Sequence, residues 1–540
     1  MKVLLVYPNM FGMNMLPPAI GILNSCLIRE GHTVGLFDTT IYPEFGAGFD
    51  SDKQKEEQLN ARPYDDSLLW EHSQQSVPGE DFRKYVQSFS PDLIALSLTE
   101  DMYSNALTLL RAIQAKDRPR VVAGGVFPTF APELTLRKSE GLIDYVLIGE
   151  GENSLPELCR RLESGQDVSS VEGIWFLSKH GKLHQSMLPT LIDVNAVPLP
   201  NYDFFPESRF YRPMQGQLWR MFPIETHRGC PYTCAYCNSP SQNQAYSAVQ
   251  QRFFRKRKIE SVREEISHCL ERYKANSFYF WADTFLAWSD REFDEFCDMY
   301  EQFKLPFWIQ TRPETVTEYK FRRLKEVGLL RVSFGVEHGN PEFRDKTLSR
   351  KIENDTIVSN LNILYDLGIP FSVNNIMGFP LETRELAFDT IELNRSIKSD
   401  GMNAYAFTPF HGVPLRSTAE SLGYVKPGEI ARSIMRPTML RMPQWPKEEI
   451  EGLRRCFVLY VKLPKSRWPE VQAAEKLTPE GGKVWEGLRK EVLEEYMEWG
   501  DRDEQDDPGA IELDDNGVVD NDDLRKSVGT ISETDADDVG

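Results

Sequence analysis

The sequence contains no run of eighteen apolar residues, so no membrane-spanning helix is expected. Its first residues, Met1-Lys2-Val3-Leu4-Leu5-Val6-Tyr7, pass straight into a strand pattern, with no charged segment, apolar core or cleavage site of an export signal. A cytoplasmic location is the expectation. Cysteine is sparse, eight in 540 residues. Five of the eight, Cys26, Cys159, Cys269, Cys297 and Cys456, stand alone, which excludes a disulfide framework. Cys269 and Cys297 fall on apolar helical stripes and read as core thiols. Positive charge is also lacking, since the formal net charge is −20. No nucleic-acid partner is expected, and the single basic run Arg252 to Lys258 reads as a solvated face or as a loop near an anionic cofactor. Residues 501–540 carry fifteen Asp and Glu against three Lys and Arg. They read as an acidic, disordered, solubilising tail.

What remains is a chain with 41% hydrophobic residues, enough for two to four domains with real cores. The other three cysteines, Cys230, Cys234 and Cys237, fall within eight residues of the segment Thr226-His227-Arg228-Gly229-Cys230-Pro231-Tyr232-Thr233-Cys234-Ala235-Tyr236-Cys237. Three thiolates from one short loop can hold three irons of a cubane cluster and leave the fourth iron open to a substrate or cofactor. The alternative is a zinc knuckle with His227 as fourth ligand. Zinc sites usually pair two short chelates, however, and no second chelate is present.

Residues 1–180 alternate strand patterns (Val3 to Tyr7, Thr33 to Asp38, Leu93 to Ser97, Val121 to Ala123, Tyr145 to Ile148) with helical ones (Ala19 to Glu30, Asn105 to Ala115, Ser154 to Glu163). This predicts an α/β, Rossmann-like, doubly wound parallel sheet, with ligands at the carboxyl ends of its strands. Those ends carry Pro8-Asn9-Met10, Ser97-Leu98-Thr99, Gly124 to Thr129 and Gly149-Glu150-Gly151-Glu152. Residues 43–82 read as an insertion over that edge. Residues 181–220 form a linker rich in proline and aromatics. Over 221–415 the βα rhythm resumes, with strands expected at Phe222 to Thr226, Phe278 to Trp281, Phe307 to Thr311, Arg331 to Val336, Phe371 to Ile376 and Ala404 to Thr408. Six units fit a partial (βα)6 barrel with chemistry at the strand C-terminal ends. Ser289-Asp290-Arg291-Glu292 supplies a capping box. Residues 416–500, with Trp445, Trp468, Trp485 and Trp499, read as a small helical region, either a core of its own or a lid on the barrel mouth.

The cysteine loop resembles that of the radical S-adenosylmethionine (SAM) superfamily, C-x3-C-x-aromatic-C, with Tyr236 as the aromatic residue. The resemblance implies a [4Fe-4S] cluster on Cys230, Cys234 and Cys237. It also implies SAM chelated to the open iron, and one-electron cleavage of SAM to methionine and a 5′-deoxyadenosyl radical. Asp283 stands where the family places an acidic or carbonyl group near the SAM ammonium, though it also reads as a helix cap. Gln310 and Arg312 share a strand face, and Arg312 pairs either with the SAM carboxylate or with a surface acid. Gly335-Val336-Glu337-His338-Gly339 resembles the family's G-x-E-x-G, and Arg350 a recurrent basic residue near the carboxylate. Asn375 to Glu382, with Ile376 and Gly378, resembles the adenine-contacting segment. His338 and His411 are proton donors or packed imidazoles.

Residues 1–180 in turn resemble the cobalamin-binding domain of cobalamin-dependent radical SAM proteins. That resemblance implies cobalamin contacts at Asn9, Met10, Ser97, Thr99, Gly124, Gly125, Phe127, Thr129, Gly149, Glu150 and Gly151. The D-x-H-x-x-G motif, whose His binds cobalt, is absent, and Pro8 to Met15 stands in its place. The lower ligand is therefore not expected to be a histidine. Met10, Asn14 and Met15 are the neighbouring candidates, and His32 reads as structural. The expected activity is that of a class B radical SAM methyltransferase, acting on an unactivated carbon or phosphinate centre of a small molecule. It would draw electrons from a flavodoxin or ferredoxin type of reductant. The alternatives are a ring contraction, cyclisation or rearrangement without methyl transfer, and a non-catalytic cobalamin-binding regulator or electron carrier. Chemistry that needs a second cluster is disfavoured, because no further clustered cysteines exist.

Overall fold

The apolar runs of the first domain are buried on both faces, as strands between two helix layers must be. The computed structural model describes residues 1–46, 55–70 and 76–497. The expected acidic tail and Trp499, with parts of the 43–82 insertion, lie outside the described residues. In the first sheet β1 (Lys2–Tyr7), β2 (Thr33–Asp38), β3 (Leu93–Ser97), β4 (Arg120–Gly124) and β5 (Tyr145–Leu147) run parallel in the order β2-β1-β3-β4-β5. The order reverses between β1 and β3, and such a switch point opens a crevice at the strand C-termini. Side-chain alternation divides each strand. Val3, Leu5, Leu93 and Ala95 join one core cluster, and Leu4, Val6, Ile94 and Leu96 join another.

The sheet extends beyond its expected end through β6 (Ile174–Leu177) and β7 (Leu183–Gln185), added antiparallel. The linker is also more ordered than its proline content suggests. It holds β8 (Tyr211–Met214) and the first half of β9 (Gln217–Glu225), which pair antiparallel. Its aromatics fill the seam between the domains: Phe222 stacks on Tyr273 at 5.2 Å, and Phe210 and Tyr202 lie 5.1 and 5.8 Å from Phe222. Tyr202 is fully buried, and a side chain of that size contributes on the order of 2 kcal/mol by leaving water.

The short pair β10 (His227–Arg228) and β11 (Arg255–Lys256) follows. The second sheet then comprises β12 (Ser277–Trp281), β13 (Phe307–Thr311), β14 (Leu329–Glu337), β15 (Phe371–Met377) and β16 (Gly401–Ala406) beside β9 and β8. Six strands, β9 and β12 to β16, are parallel. This is the partial (βα)6 barrel, and it shares one core cluster with the first domain. The capping box at Ser289 and Glu292 is formed and starts the helix Asp290–Tyr300. The helices Lys447–Arg455, Phe457–Lys462, Trp468–Ala474 and Pro479–Glu495 form no separate core. Trp445, Leu453 and Tyr460 pack in one cluster with Met377 and Met402 of β15 and β16. Among the described residues no helix is long and apolar enough to cross a membrane.

Candidate active site

The three clustered cysteines follow β10, where Gly229 turns at φ +84° and a Cβ would lie 2.8 Å from the Phe253 ring. Cys230 and Cys234 are buried and Cys237 half-buried. Each sulfur faces a hydrogen-bonding group. Arg312 Nη1 donates to Cys234 Sγ at 2.9 Å, Ser239 N to Cys237 Sγ at 3.5 Å, and Thr284 Oγ1 lies 3.6 Å from Cys230 Sγ. Burial raises the Cys230 thiol and pushes Cys237 up to about 11. These groups therefore ionise when a cation takes the proton's place, which is the behaviour of a metal donor set. His227 is engaged elsewhere. Its Nδ1 lies 2.9 Å from Thr226 Oγ1, and its ring packs 4.9 Å from Trp288 and 6.0 Å from Phe254. Burial pushes it down to about 3, so it stays neutral. Among the described residues no three His, Cys, Asp or Glu side chains converge on one metal-sized point. A lone zinc ion needs that convergence, whereas the cysteines of a cubane each serve a different iron.

Four of the residues expected at SAM meet in one network. Buried Arg350 donates to Tyr236 Oη at 3.2 Å and to Glu314 Oε2 at 3.1 Å, and its Nη1 lies 3.6 Å from Glu337 Oε1. Arg312 donates from Nε to Glu314 Oε1 at 2.7 Å and lies 3.8 Å over the Tyr232 ring. Burial raises the Glu337 carboxyl, although Arg350 and Arg312 pull it down. Glu337 is a non-glycine residue at φ +72° beside a bulge in the β14–β15 pairing. Such strain costs about 1–3 kcal/mol and gathers at functional sites. Gly335 is required by this arrangement, because a Cβ there would stand 2.1 Å from Glu337 Oε1. Glu314 is the member that sequence reasoning missed, and its only signal was its place two residues beyond Arg312.

Asp283 is not a helix cap, since Ser289 fills that place. Its Oδ2 accepts from Ser239 Oγ at 2.6 Å. The carboxylate is exposed but crowded by protein. That partial dehydration raises its pKa, against the Ser239 hydrogen bond. Gln310 faces the barrel lumen and donates to Ala282 O at 3.0 Å. Ile376 packs toward the C-terminal core, and Gly378 turns at φ +78° beneath Ile450. His338 is fully buried, stacked on Phe343 at 4.5 Å, with Nδ1 accepting from Asn340 N. It is a packed imidazole.

A cavity of about 870 Å³ opens at the C-terminal ends of β1, β3 and β4 and reaches Tyr236, Cys237 and Trp281 of the barrel. It stands at the upper end of the size range of ligand sites. Asn9, Met10, Ser97, Thr99, Gly124, Gly125, Phe127, Gly149, Glu150 and Gly151 line it, as do Met13, Asn14, Met15 and His411. Thr129 does not. It bridges the two glycine turns instead, donating to Gly125 O at 2.7 Å and accepting from Gly149 N at 2.9 Å. Glu150 lies on the wall, but its carboxylate is occupied by Arg228, Arg255 and Ile192 N. Burial disfavours its charge, yet the hydrogen bond from Arg255 and the charges of both arginines outweigh that and hold it below the usual carboxylate range. Glu150 and Arg228 thus strut the first domain to the cysteine loop. The middle of the basic run is neither a solvated face nor an anion loop, because Arg255, Lys256 and Arg257 pair with Glu150, Glu292 and Glu265, while Arg252 and Lys258 at its ends are exposed.

Residues 224–393 match the radical SAM superfamily and residues 68–159 match the B12 binding domain. The chain thus carries a radical SAM domain over residues 224–393 and a B12 binding domain over residues 68–159. It is 26% identical over 71% of its length to an uncharacterized methyltransferase of Pyrococcus horikoshii, of which it covers 82%. It is 24% identical over 68% of its length to the anaerobic magnesium-protoporphyrin IX monomethyl ester cyclase of Rubrivivax gelatinosus, covering 64% of that protein. The fold is similar to the radical SAM methyltransferase TsrM from Kitasatospora setae (TM-score 0.59, 15% identity, 91% of this chain and 99% of that one). It is also similar to the cobalamin-dependent radical enzyme OxsB (TM-score 0.61, 16% identity, 91% and 71%).

For a B12-binding radical SAM protein, the residues present fit both groups. The donor set is three thiols with amide, hydroxyl and guanidinium partners and, among the described residues, no fourth protein ligand, which suits a [4Fe-4S] cluster with an iron left open to SAM. On the cobalamin side Gly124 is decisive. Its backbone requires no glycine, and a Cβ would meet only Leu147 O, at 3.8 Å. The bare backbone therefore serves the cavity, as close approach of a flat macrocycle demands. His32 lies at the opposite end of β1, with Nδ1 3.3 Å from the Met1 amino group, so it is structural.

Proposed function

We propose that this chain is a cobalamin-dependent radical SAM methyltransferase acting on a small molecule. One observation carries the reading: a single cavity is walled both by the carboxyl ends of β1, β3 and β4 and by Tyr236 and Cys237 of the cysteine loop. Two cofactors placed at those walls would face one substrate. When bound, the cluster and SAM would supply one-electron chemistry, and cobalamin a transferable methyl group. The chain's own residues position and exclude. Arg312, with its N–H on Cys234 Sγ, stabilises sulfur charge. Arg350 fixes the Tyr236 hydroxyl and the Glu314 and Glu337 carboxylates as one rigid set beside it. Asp283, held by Ser239, offers a carboxylate to a cationic group. The loop after β16, held by Glu100, closes the cavity from the C-terminal side and limits water.

All eight cysteines are unpaired, which suits a reducing compartment and a flavodoxin or ferredoxin as electron donor. The test is anaerobic reconstitution with iron, sulfide and methylcobalamin, followed by turnover of candidate substrates with methyl-labelled SAM. Label in the product together with 5′-deoxyadenosine supports the reading. Absence of 5′-deoxyadenosine overturns it in favour of a cobalamin-binding regulator. The similarity to the ester cyclase of Rubrivivax gelatinosus favours one second reading, a ring-forming reaction without methyl transfer. It predicts 5′-deoxyadenosine with no label in the product.

A further inference from the structure

Inside the barrel, one layer below the cofactor cavity, lies a second cavity of about 200 Å³. It has room for several waters at ~30 Å³ each, or for one small charged group with part of a ring. Its walls are the inward-facing positions of the parallel strands, Trp308 and Gln310 on β13, Arg331 and Ser333 on β14 among them, and β8 closes it with Arg212. Arg212 and Lys55 line both cavities, so the two adjoin.

The charge of this lumen is one-sided. Among the described residues its walls include four cationic side chains, Lys55, Arg62, Arg212 and Arg331, and no carboxylate. Arg212 is half-buried and stacks on Trp308 at 4.6 Å and Tyr279 at 5.3 Å. Arg331 is 9% exposed, lies 5.4 Å from the centre of the Trp308 ring and gives one N–H to Gln215 Oε1. Neither guanidinium is ion-paired within the described residues. Asp400, the acid whose field acts on Arg331, is held by Phe371 N at 2.9 Å. Burial, with the like charges of Arg62 and Arg212, pushes Arg331 down to about 10 despite Asp400. Burying Arg331 and half-burying Arg212, neither with an ion pair of its own among the described residues, costs free energy that a structural role does not return. A planar fork beside an aromatic face is instead the usual seat of a carboxylate or phosphate.

We propose that the barrel lumen is an anion subsite in which Arg331 and Arg212 bind a carboxylate or phosphate of the substrate and hold its reacting part in the adjoining cavity. The inference rests on the radical SAM reading and narrows it to anionic small molecules with a ring or chain long enough to pass Trp308.

The test uses the full chain, reconstituted anaerobically, and isothermal titration of benzoate, indole-3-carboxylate and phenyl phosphate, each against its neutral counterpart (benzamide, indole-3-carboxamide and phenol). At least one anion is expected to bind about tenfold more tightly than its neutral counterpart, and the carboxylate and phosphate arms tell which group the site takes. Arg331→Gln and Arg212→Gln are expected to erase the preference, and Arg331→Lys to keep part of it, with cobalamin absorbance reporting that each variant has folded. A wild type that binds every anion no better than its neutral partner overturns the proposal without recourse to any variant. So does a preference that survives in the folded double glutamine variant. Formation of 5′-deoxyadenosine is measured on the same preparation. SAM cleavage without anion preference sinks the subsite alone, and anion preference without SAM cleavage sinks the enzymatic reading alone.

Discussion

Glu100 and His411, 311 positions apart, meet twice: the Glu100 carboxylate accepts from His411 N at 2.7 Å and lies 2.8 Å from His411 Nδ1. Glu100 is buried and also accepts from Ala431 N at 2.6 Å. A carboxylate just past β3 therefore fastens the two loops that roof the cofactor cavity. Glu100→Ala strands two buried N–H groups and should destabilise the chain by on the order of 2–3 kcal/mol. Glu100→Gln, which still accepts, should cost about half as much. Urea midpoints check the order, and faster proteolysis between residues 409 and 431 in Glu100→Ala checks the place.

The close approach of Gly335 and Glu337 gives a sharper prediction about the site. In Gly335→Ala the new Cβ would stand 2.1 Å from Glu337 Oε1, so the carboxylate has to leave the Arg350 network. The strand itself is not strained by the change, because Gly335 has no positive φ. A displacement of about 1 Å in a reacting complex costs on the order of a hundredfold in rate. The expected result is iron and sulfide content equal to wild type with 5′-deoxyadenosine formation lowered by about that factor. Loss of iron instead would place the effect in the cysteine loop.

Much of this was legible in the sequence, and what was not has identifiable causes. The parallel strands were readable because burial on both faces leaves continuous apolar runs such as Val3 to Val6 and Leu93 to Leu96. The antiparallel additions β6 to β8 were hidden, since Ile174 to Leu177 and Tyr211 to Met214 are short, mostly half-buried strands of mixed composition, the second at a sheet edge. In the site, the cysteine spacing, Glu337 and Arg350 announced themselves by motif. Glu314, the Glu150 strut and the Glu100 clamp depend on partners from 36 to 331 positions away, and no local pattern encodes those. Thr129 was misread for the opposite reason, because a threonine after a double glycine matches the motif while its hydroxyl serves the turns. Aromatic type alone does not tell lining from core, because Phe285 is fully buried whereas Trp281, four residues earlier, is 42% exposed.

The Glu292 carboxylate, which caps its helix and pairs with Lys256 at 2.7 Å, should give a pH-dependent contribution. Burial opposes its charge, but Lys256 and Ser289 outweigh that and lower it from 4.5 to about 2. A depressed folded-state value means stability that is complete above pH 4.5 and is lost as pH falls toward 2. The side chain is 32% exposed, and solvent screening keeps the effect small, about 0.5–1 kcal/mol. Glu292→Gln should therefore lower the urea midpoint of the apo chain at pH 6, and by less than half as much at pH 3. An equal deficit at both values would assign the loss to packing.

Gly124 and Gly125 are adjacent but should respond in opposite ways. Gly125 sits at φ +110°, and a Cβ there would meet Leu98 O at 2.4 Å, so Gly125→Ala is strained in backbone and in space. It should destabilise the first domain by about 1–3 kcal/mol. Gly124 has neither restriction, and its Cβ would point into the cofactor cavity with Leu147 O at 3.8 Å as its nearest contact. Gly124→Leu should therefore fold with a wild-type urea midpoint but lose cobalamin, read as absorbance retained after gel filtration. If it instead binds cobalamin as tightly as wild type, the macrocycle does not lie along the β4 turn. The 870 Å³ cavity must then hold it elsewhere.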